Sequence, residues 1–173
     1  MRLFLALLLV TPVLADDDKP AGHSAHGEAF NEGPRQQAYL IPGMGDIVFP
    51  VSTNVRQAQQ FFTQGIAQLH SFYYFEAERS FRQAASLDPD LAMAYWGMAM
   101  ANVNNEKRAK EFLARAEKLK DKADAREKLW LQFLAEWYKQ PSGDKGARAS
   151  IKALETIVSD YPDDVEAKGF LAW

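Results

Sequence analysis

The sequence contains no cysteine, and this absence removes several kinds of chemistry at once. Without thiols the chain cannot form disulfides, thiolate metal sites or a cysteine nucleophile, and it cannot be anchored to a membrane through an acylated cysteine. The chain also lacks a large excess of charge of either sign, because it has 20 Lys and Arg and 23 Asp and Glu, for a net charge of −3 at pH 7. Binding to a phosphate backbone needs a basic field, so we predict no nucleic-acid partner.

Motifs of known active sites are absent as well. The sequence has no Gly-rich phosphate loop, no HExxH and no GxSxG. His23 and His26, in GHSAHG, have a spacing that could ligate zinc or copper, but no predicted scaffold holds the remaining ligands. We therefore predict no catalytic residue, no cofactor and no metal site. A metal carrier that depends on these two histidines is kept as a third alternative.

The first fifteen residues, MRLFLALLLVTPVLA, form an apolar segment with one charged side chain. Arg2 precedes the apolar run Leu3–Val10, and the segment ends in a small-residue cleavage pattern at Ala15. The run is shorter than the ~20 residues of a membrane-spanning helix, and Pro12 interrupts it. We predict a signal peptide at 1–15, export to the periplasm or the medium, and no stable membrane insertion after its removal.

Residues 16–53 are predicted to form a flexible or extended lead. The part from Asp16 to about Glu28 has no large apolar side chain to bury. The part from 30 to 53 is apolar but is interrupted by proline and glycine, which excludes a helix and leaves room for a short strand at Asp46–Phe49. Since Tyr39–Val51 carries seven large apolar side chains, we expect it to pack on the first helix pair and to occupy part of its groove.

From residue 54 onward the apolar spacing is helical. Phe62, Ile66, Leu69 and Tyr73 recur at i, i+4, i+7 and i+11, and no strand-like alternation is evident. The chain is predicted to be all-α, with helices near 54–72, 76–87, 91–103, 106–119, 125–139 and 146–159 and a further one from about 164.

These helices follow a repeated pattern of large and small residues. The first copy reads Phe61-x3-Gly65-x11-Ala77-x3-Phe81-x2-Ala84-x4-Pro89, and it returns in weaker form from Tyr95 and from Trp130. Large residues fill the space between paired helices, small ones let the helices cross closely, and proline ends the pair.

At these residues the chain resembles the tetratricopeptide repeat (TPR) family, over roughly residues 58–173. The best match is FEAERSFRQAASLDPDLAMAYWGMA at 75–99. The resemblance implies an α-solenoid of about three helix-turn-helix units in 54–173, with the start of a fourth unit, so we expect the protein to continue beyond Trp173. Gln64 and Gln68 depart from the pattern, because the family usually places apolar residues there.

The resemblance implies a function as well as a fold. Together with the signal peptide predicted at 1–15, it indicates a non-enzymatic exported scaffold that binds a protein or peptide partner in a concave groove formed by the first helix of each unit. The alternative is the recognition domain of a larger enzyme whose catalytic part lies beyond residue 173. The candidate groove residues are Phe62, Ile66, Leu69, His70, Trp96, Met100, Leu131 and Tyr138.

Two other interpretations stay open at this point. The candidate groove residues could simply form the core between repeats, since apolar helix stripes are usually buried. The run Glu106–Lys128 holds nine basic and six acidic residues with interleaved signs, which predicts a solvated helix.

Overall fold

A computed structural model describes residues 28–139 and 144–172. Within these ranges the chain is all-α, as predicted, and no strand is formed. The signal peptide predicted at 1–15 and the histidines His23 and His26 lie outside the described residues. The helices are α1 (Arg56–His70), α2 (Tyr74–Leu87), α3 (Ala92–Met100), α4 (Glu106–Lys118), α5 (Ala125–Lys139), α6 (Asp144–Asp160) and α7 (Val165–Ala172).

The helices form three successive pairs. Helix α1 packs mainly on α2, α3 on α4, and α5 on α6, and α7 adds to the last pair through α6. The odd-numbered helices are neighbours, since α3 contacts both α1 and α5. They therefore share one face of the molecule, and we call α1, α3 and α5 the first helices. No helix in the described ranges has the length and apolar character needed to cross a bilayer.

The strand predicted at Asp46–Phe49 is wrong. The backbone there belongs to no sheet, and the Phe49 carbonyl accepts a 2.9 Å hydrogen bond from the side-chain amide of Gln59 on α1. An extended segment can satisfy its polar groups with side chains instead of a second strand.

One ring fixes the crossing of α1, α2 and α3. Phe81 on α2 is fully buried between Gly65 on α1 and Gly97 on α3, and a Cβ atom added to either glycine would lie 2.5 Å from its ring. Ala77 and Ala84, which flank Phe81 on α2, are also fully buried. The small positions of the repeated pattern therefore lie where the helices approach most closely.

The charged run Glu106–Lys128 is not uniformly solvated, and this part of the prediction is wrong. Arg108 on α4 is buried, with its Nη2 2.6 Å from Oε1 of the buried Glu78 on α2. The same Nη2 donates to the carbonyl oxygens of Ala29 at 2.9 Å and Glu32 at 3.0 Å. Burial is tolerated because the guanidinium is paired and hydrogen-bonded.

Replacing Gly65 by alanine tests the three-helix crossing. Ala is the better helix former, but its methyl group would overlap the Phe81 ring, so we expect Gly65→Ala to lower the free energy of unfolding by about 1–3 kcal/mol. Gly169→Ala on α7 is the matched control, because nothing lies within 4 Å of its added Cβ and it gains up to ~1 kcal/mol of helix propensity. Urea denaturation followed by circular dichroism measures both, and a stabilised Gly65→Ala variant would contradict the close crossing.

Candidate functional site

The centre of the face formed by the first helices is covered by the chain itself. We call residues 28–55 the lead segment, and its Phe49 is only 1% exposed. The Phe49 ring centroid lies 5.2 Å from that of Phe62 on α1, 6.0 Å from Trp96 on α3 and 5.0 Å from Trp130 on α5. Phe49 therefore packs on all three first helices, so it contacts the second and third pairs as well as the expected first pair.

The lead segment also has a polar attachment to α5. The guanidinium of Arg126 lies 4.4 Å from the centre of the Phe49 ring and donates to the Pro50 carbonyl at 3.1 Å. The backbone N–H of Ser52 donates to Oε1 of the buried Glu127 at 2.6 Å. A charge above a ring face and hydrogen bonds to charged groups both favour this arrangement.

Not all of the apolar side chains in the lead are buried, contrary to expectation. Tyr39 is 77% exposed and Val48 is 75% exposed, and Leu40 and Ile41 are also exposed. The hydrophobic attachment of the lead segment therefore depends on Phe49 and the small buried Ala29 and Ala38, with partly buried contributions from Phe30, Ile47, Val51 and Val55.

Four of the predicted groove residues are core residues in this structure. Phe62, Ile66, Trp96 and Leu131 are fully buried, so a ligand cannot reach them in this conformation, and the open alternative of inter-repeat core applies to them. Tyr138, near the end of α5, is partly buried, and this burial, with the charge of Glu106, raises its pKa to about 12.

The other three predicted residues lie together. Leu69, His70 and Met100 line a pocket at one end of the first-helix face, with a cavity of about 140 Å³. A cavity of ~150 Å³ lined by apolar side chains has room for benzene, so this pocket can hold one large apolar side chain. The rest of its wall is also mainly apolar and consists of Phe72, Tyr74, Val103, Gly169 and Phe170.

A polar pair joins α1 to α7 beside the pocket. Nε2 of the exposed His70 lies 2.6 Å from Oε2 of the buried Glu166, across 96 positions of sequence. Phe170 on the same short helix lies 5.7 Å from the His70 ring and 6.2 Å from that of Trp96, measured between centroids. The pocket wall thus brings α7, the last helix described, against residues from the end of α1 to the end of α3.

Phe72 occupies a backbone position that usually belongs to glycine. Its φ is +60°, and it follows α1 in a C-terminal motif in which the Phe72 N–H donates to the Leu69 carbonyl and the Tyr73 N–H to the Gln68 carbonyl. A side chain in this conformation costs roughly 1–2 kcal/mol. The Phe72 ring is nevertheless retained, 64% exposed, at the pocket. Residues with strained backbones cluster at functional sites, so Phe72 makes this pocket the candidate site.

Two glutamines on α1 bind the lead segment through its backbone. Gln64 accepts from the Ile41 N–H at 2.7 Å and donates to the Tyr39 carbonyl at 3.1 Å. Gln59 accepts from the Val51 N–H at 2.9 Å and donates to the Phe49 carbonyl at 2.9 Å. The roles of these two glutamines were not predicted from the sequence, where the only signal is that Gln64 breaks the apolar pattern of the repeat.

Comparisons with protein-family models, with curated proteins and with solved structures find no match to this chain. In the described ranges, no group of three or more histidine, aspartate or glutamate side chains is placed to hold a metal ion. The geometry of the pocket and of the lead segment is therefore the basis for a functional conclusion.

Truncating Phe49 tests whether the lead is part of the folded body. We expect Phe49→Ala to lower the free energy of unfolding by about 3–5 kcal/mol, because it removes a buried ring shared by three helices. Val48→Ala is the neighbouring control and should change stability by less than ~0.5 kcal/mol, since Val48 is exposed. Equal effects of the two variants in chemical denaturation would show that the lead is not attached through Phe49.

Proposed function

We propose that this protein is a non-enzymatic, exported helical-repeat scaffold of the TPR type, which binds a protein segment by taking one large apolar side chain into the pocket next to α1, α3 and α7. Three successive helix pairs support the repeat assignment. The signal-peptide pattern at 1–15 supports export. The observation that carries the binding function is Phe72, a strained and exposed ring held at the pocket.

The size of the pocket favours a side chain over a free metabolite. Small-molecule sites usually occupy ~300–1,000 Å³, whereas this cavity measures about 140 Å³. Protein interfaces commonly depend on a few anchor residues that fill pockets of this kind. The His70–Glu166 pair places polar atoms beside the apolar cavity, so a bound segment would meet both apolar and hydrogen-bonding groups.

Replacing Phe72 by glycine separates binding from stability. Relief of ~1–2 kcal/mol of backbone strain exceeds the ~0.5–1 kcal/mol that glycine costs in chain entropy, so Phe72→Gly should be at least as stable as the parent. The same change removes part of the pocket wall and should weaken binding by about tenfold or more, equivalent to ~1.4 kcal/mol. The probe is the most enriched peptide from a displayed random library, measured by fluorescence anisotropy.

The control for this experiment is Tyr73→Ala. Tyr73 is also 64% exposed and adjacent in sequence, but it does not line the pocket. Its loss should leave peptide binding unchanged, whereas Val103→Glu, which places a charge in the pocket wall, should abolish it. Enriched peptides that lack large apolar residues, or that bind Phe72→Gly as well as the parent, would refute the proposal.

A further inference from the structure

We infer that Gln64 on α1 is a second binding site, specific for the backbone of an extended peptide from another protein, and that residues 39–41 of the lead occupy it in this structure. The inference does not depend on the pocket function, because the pocket wall includes neither Gln64 nor any residue of the lead.

The hydrogen bonds between Gln64 and the lead segment are made to main-chain atoms of the lead. Its amide oxygen accepts from the Ile41 N–H at 2.7 Å, and its amide nitrogen donates to the Tyr39 carbonyl at 3.1 Å. One primary amide thus pairs with the carbonyl of one residue and the N–H of the residue two positions later. Any segment in extended conformation offers this pair of groups, whatever its side chains.

The Gln64 amide is held in position by a second layer of hydrogen bonds. Gln64 is only 6% exposed, and its Nε2 also donates to the Ser80 hydroxyl at 3.0 Å. The Ser80 hydroxyl in turn donates to Oε1 of the buried Gln68 at 2.7 Å. Ser80 and Gln68 therefore fix the orientation of the Gln64 amide, which reduces the entropy lost when a peptide backbone binds.

The same arrangement occurs a second time on α1. Gln59 pairs with the Phe49 carbonyl and the Val51 N–H, and its Nε2 also donates to the Thr63 hydroxyl at 3.0 Å. The two occupants differ in their side chains, because Phe49 is buried in the core whereas Tyr39 is exposed. The backbone at Gln59 is thus anchored by a side chain, and the backbone at Gln64 is held by its hydrogen bonds.

Residues 39–41, which bind Gln64, also leave unfilled space beside them. An open groove of about 170 Å³ borders them on the side of α2, and a shallower surface depression of about 320 Å³ borders them along α1. Tyr39, Leu40 and Ile41 are exposed, and of the residues next to them only the small Ala38 is buried. A partner segment with larger inward side chains would make the same two backbone bonds and would fill these spaces as well.

The attachments of the lead favour a partner peptide over exchange with a second copy of the chain. On one side of the segment, Arg108 holds the carbonyl oxygens of Ala29 and Glu32, and on the other side Phe49 is buried. Between these attachments Arg79 also donates to the carbonyl and side-chain oxygens of Gln36, at 3.4 Å and 3.1 Å, and Ala38 is buried. A partner would therefore displace the short stretch 39–46. Gly43 and Gly45 lie in this stretch with positive φ and open space around their Cα atoms, so a turn is already present there.

Removing one N–H from the lead tests the inference without altering Gln64. In Ile41→Pro the lead can no longer donate to Gln64, whereas Leu40→Pro adds a proline at a neighbouring residue whose N–H makes no hydrogen bond in the described structure. The probe is a fluorescein-labelled peptide with the sequence of residues 36–45, QQAYLIPGMG. A tethered competitor acts at millimolar effective concentration, so Ile41→Pro should bind the probe at least ~10-fold more tightly than the parent or Leu40→Pro.

Modified probes then establish what is recognised. A peptide N-methylated at its isoleucine amide should lose binding, and a peptide with alanine in place of its tyrosine and its leucine should bind like the original. In the Ile41→Pro background, Gln64→Leu should remove binding and Val103→Glu in the other pocket should leave it unchanged. Equal binding of the N-methylated probe would overturn the inference whether or not Gln64→Leu folds, and so would dimerisation of Ile41→Pro in sedimentation, which would assign the site to a second copy.

Discussion

Phe49 makes the contact on which the arrangement of the three helix pairs depends. Successive helix pairs contact one another mainly through neighbouring helices, and α1 and α3, like α3 and α5, share only small interfaces. Here one ring from the lead segment packs on Phe62, Trp96 and Trp130, one residue from each pair. The guanidinium of Arg126 covers this ring and bonds to Asp164, where α7 begins, at 2.7 Å. The lead segment therefore acts as a brace, that is, it runs along the first helices and connects the three helix pairs.

This brace explains which surfaces remain available for partners. The centre of the first-helix face is closed, because Phe49 lies over the residues predicted to form the groove. The pocket at the end of the face, which has Phe72 at its wall, stays accessible, whereas the proposed Gln64 site opens only when residues 39–41 are displaced. The two sites differ in chemistry, since the pocket is suited to one apolar side chain and the proposed Gln64 site to an extended backbone. Together they would let one partner be held at two points, with the gain in affinity that linked sites provide.

The sequence predicts the parts of this structure that depend on local spacing. The helices follow from apolar residues at helical intervals, and the close crossing follows from the small residues Gly65, Ala77 and Ala84, because both signals lie within one helix or one pair. Burial of Arg108 could not be predicted in the same way, because its backbone partner Ala29 is 79 positions away in the sequence. In the sequence, Gln64 stands out only as a departure from the repeat pattern. Phe72 gives no signal, because the residue that ends a helix in the left-handed backbone conformation is usually glycine.

Amide hydrogen exchange followed by NMR tests most directly whether the lead is part of the folded body. The N–H groups of Val51 and Ser52 donate to side chains of α1 and α5, at 2.9 Å and 2.6 Å. If Phe49 braces the three pairs, these two amides should exchange only through global unfolding, with protection close to that of the Trp96 amide inside α3. Exchange of Val51 and Ser52 at the rate of an unstructured peptide, while α3 stays protected, would contradict the bracing role of the lead segment.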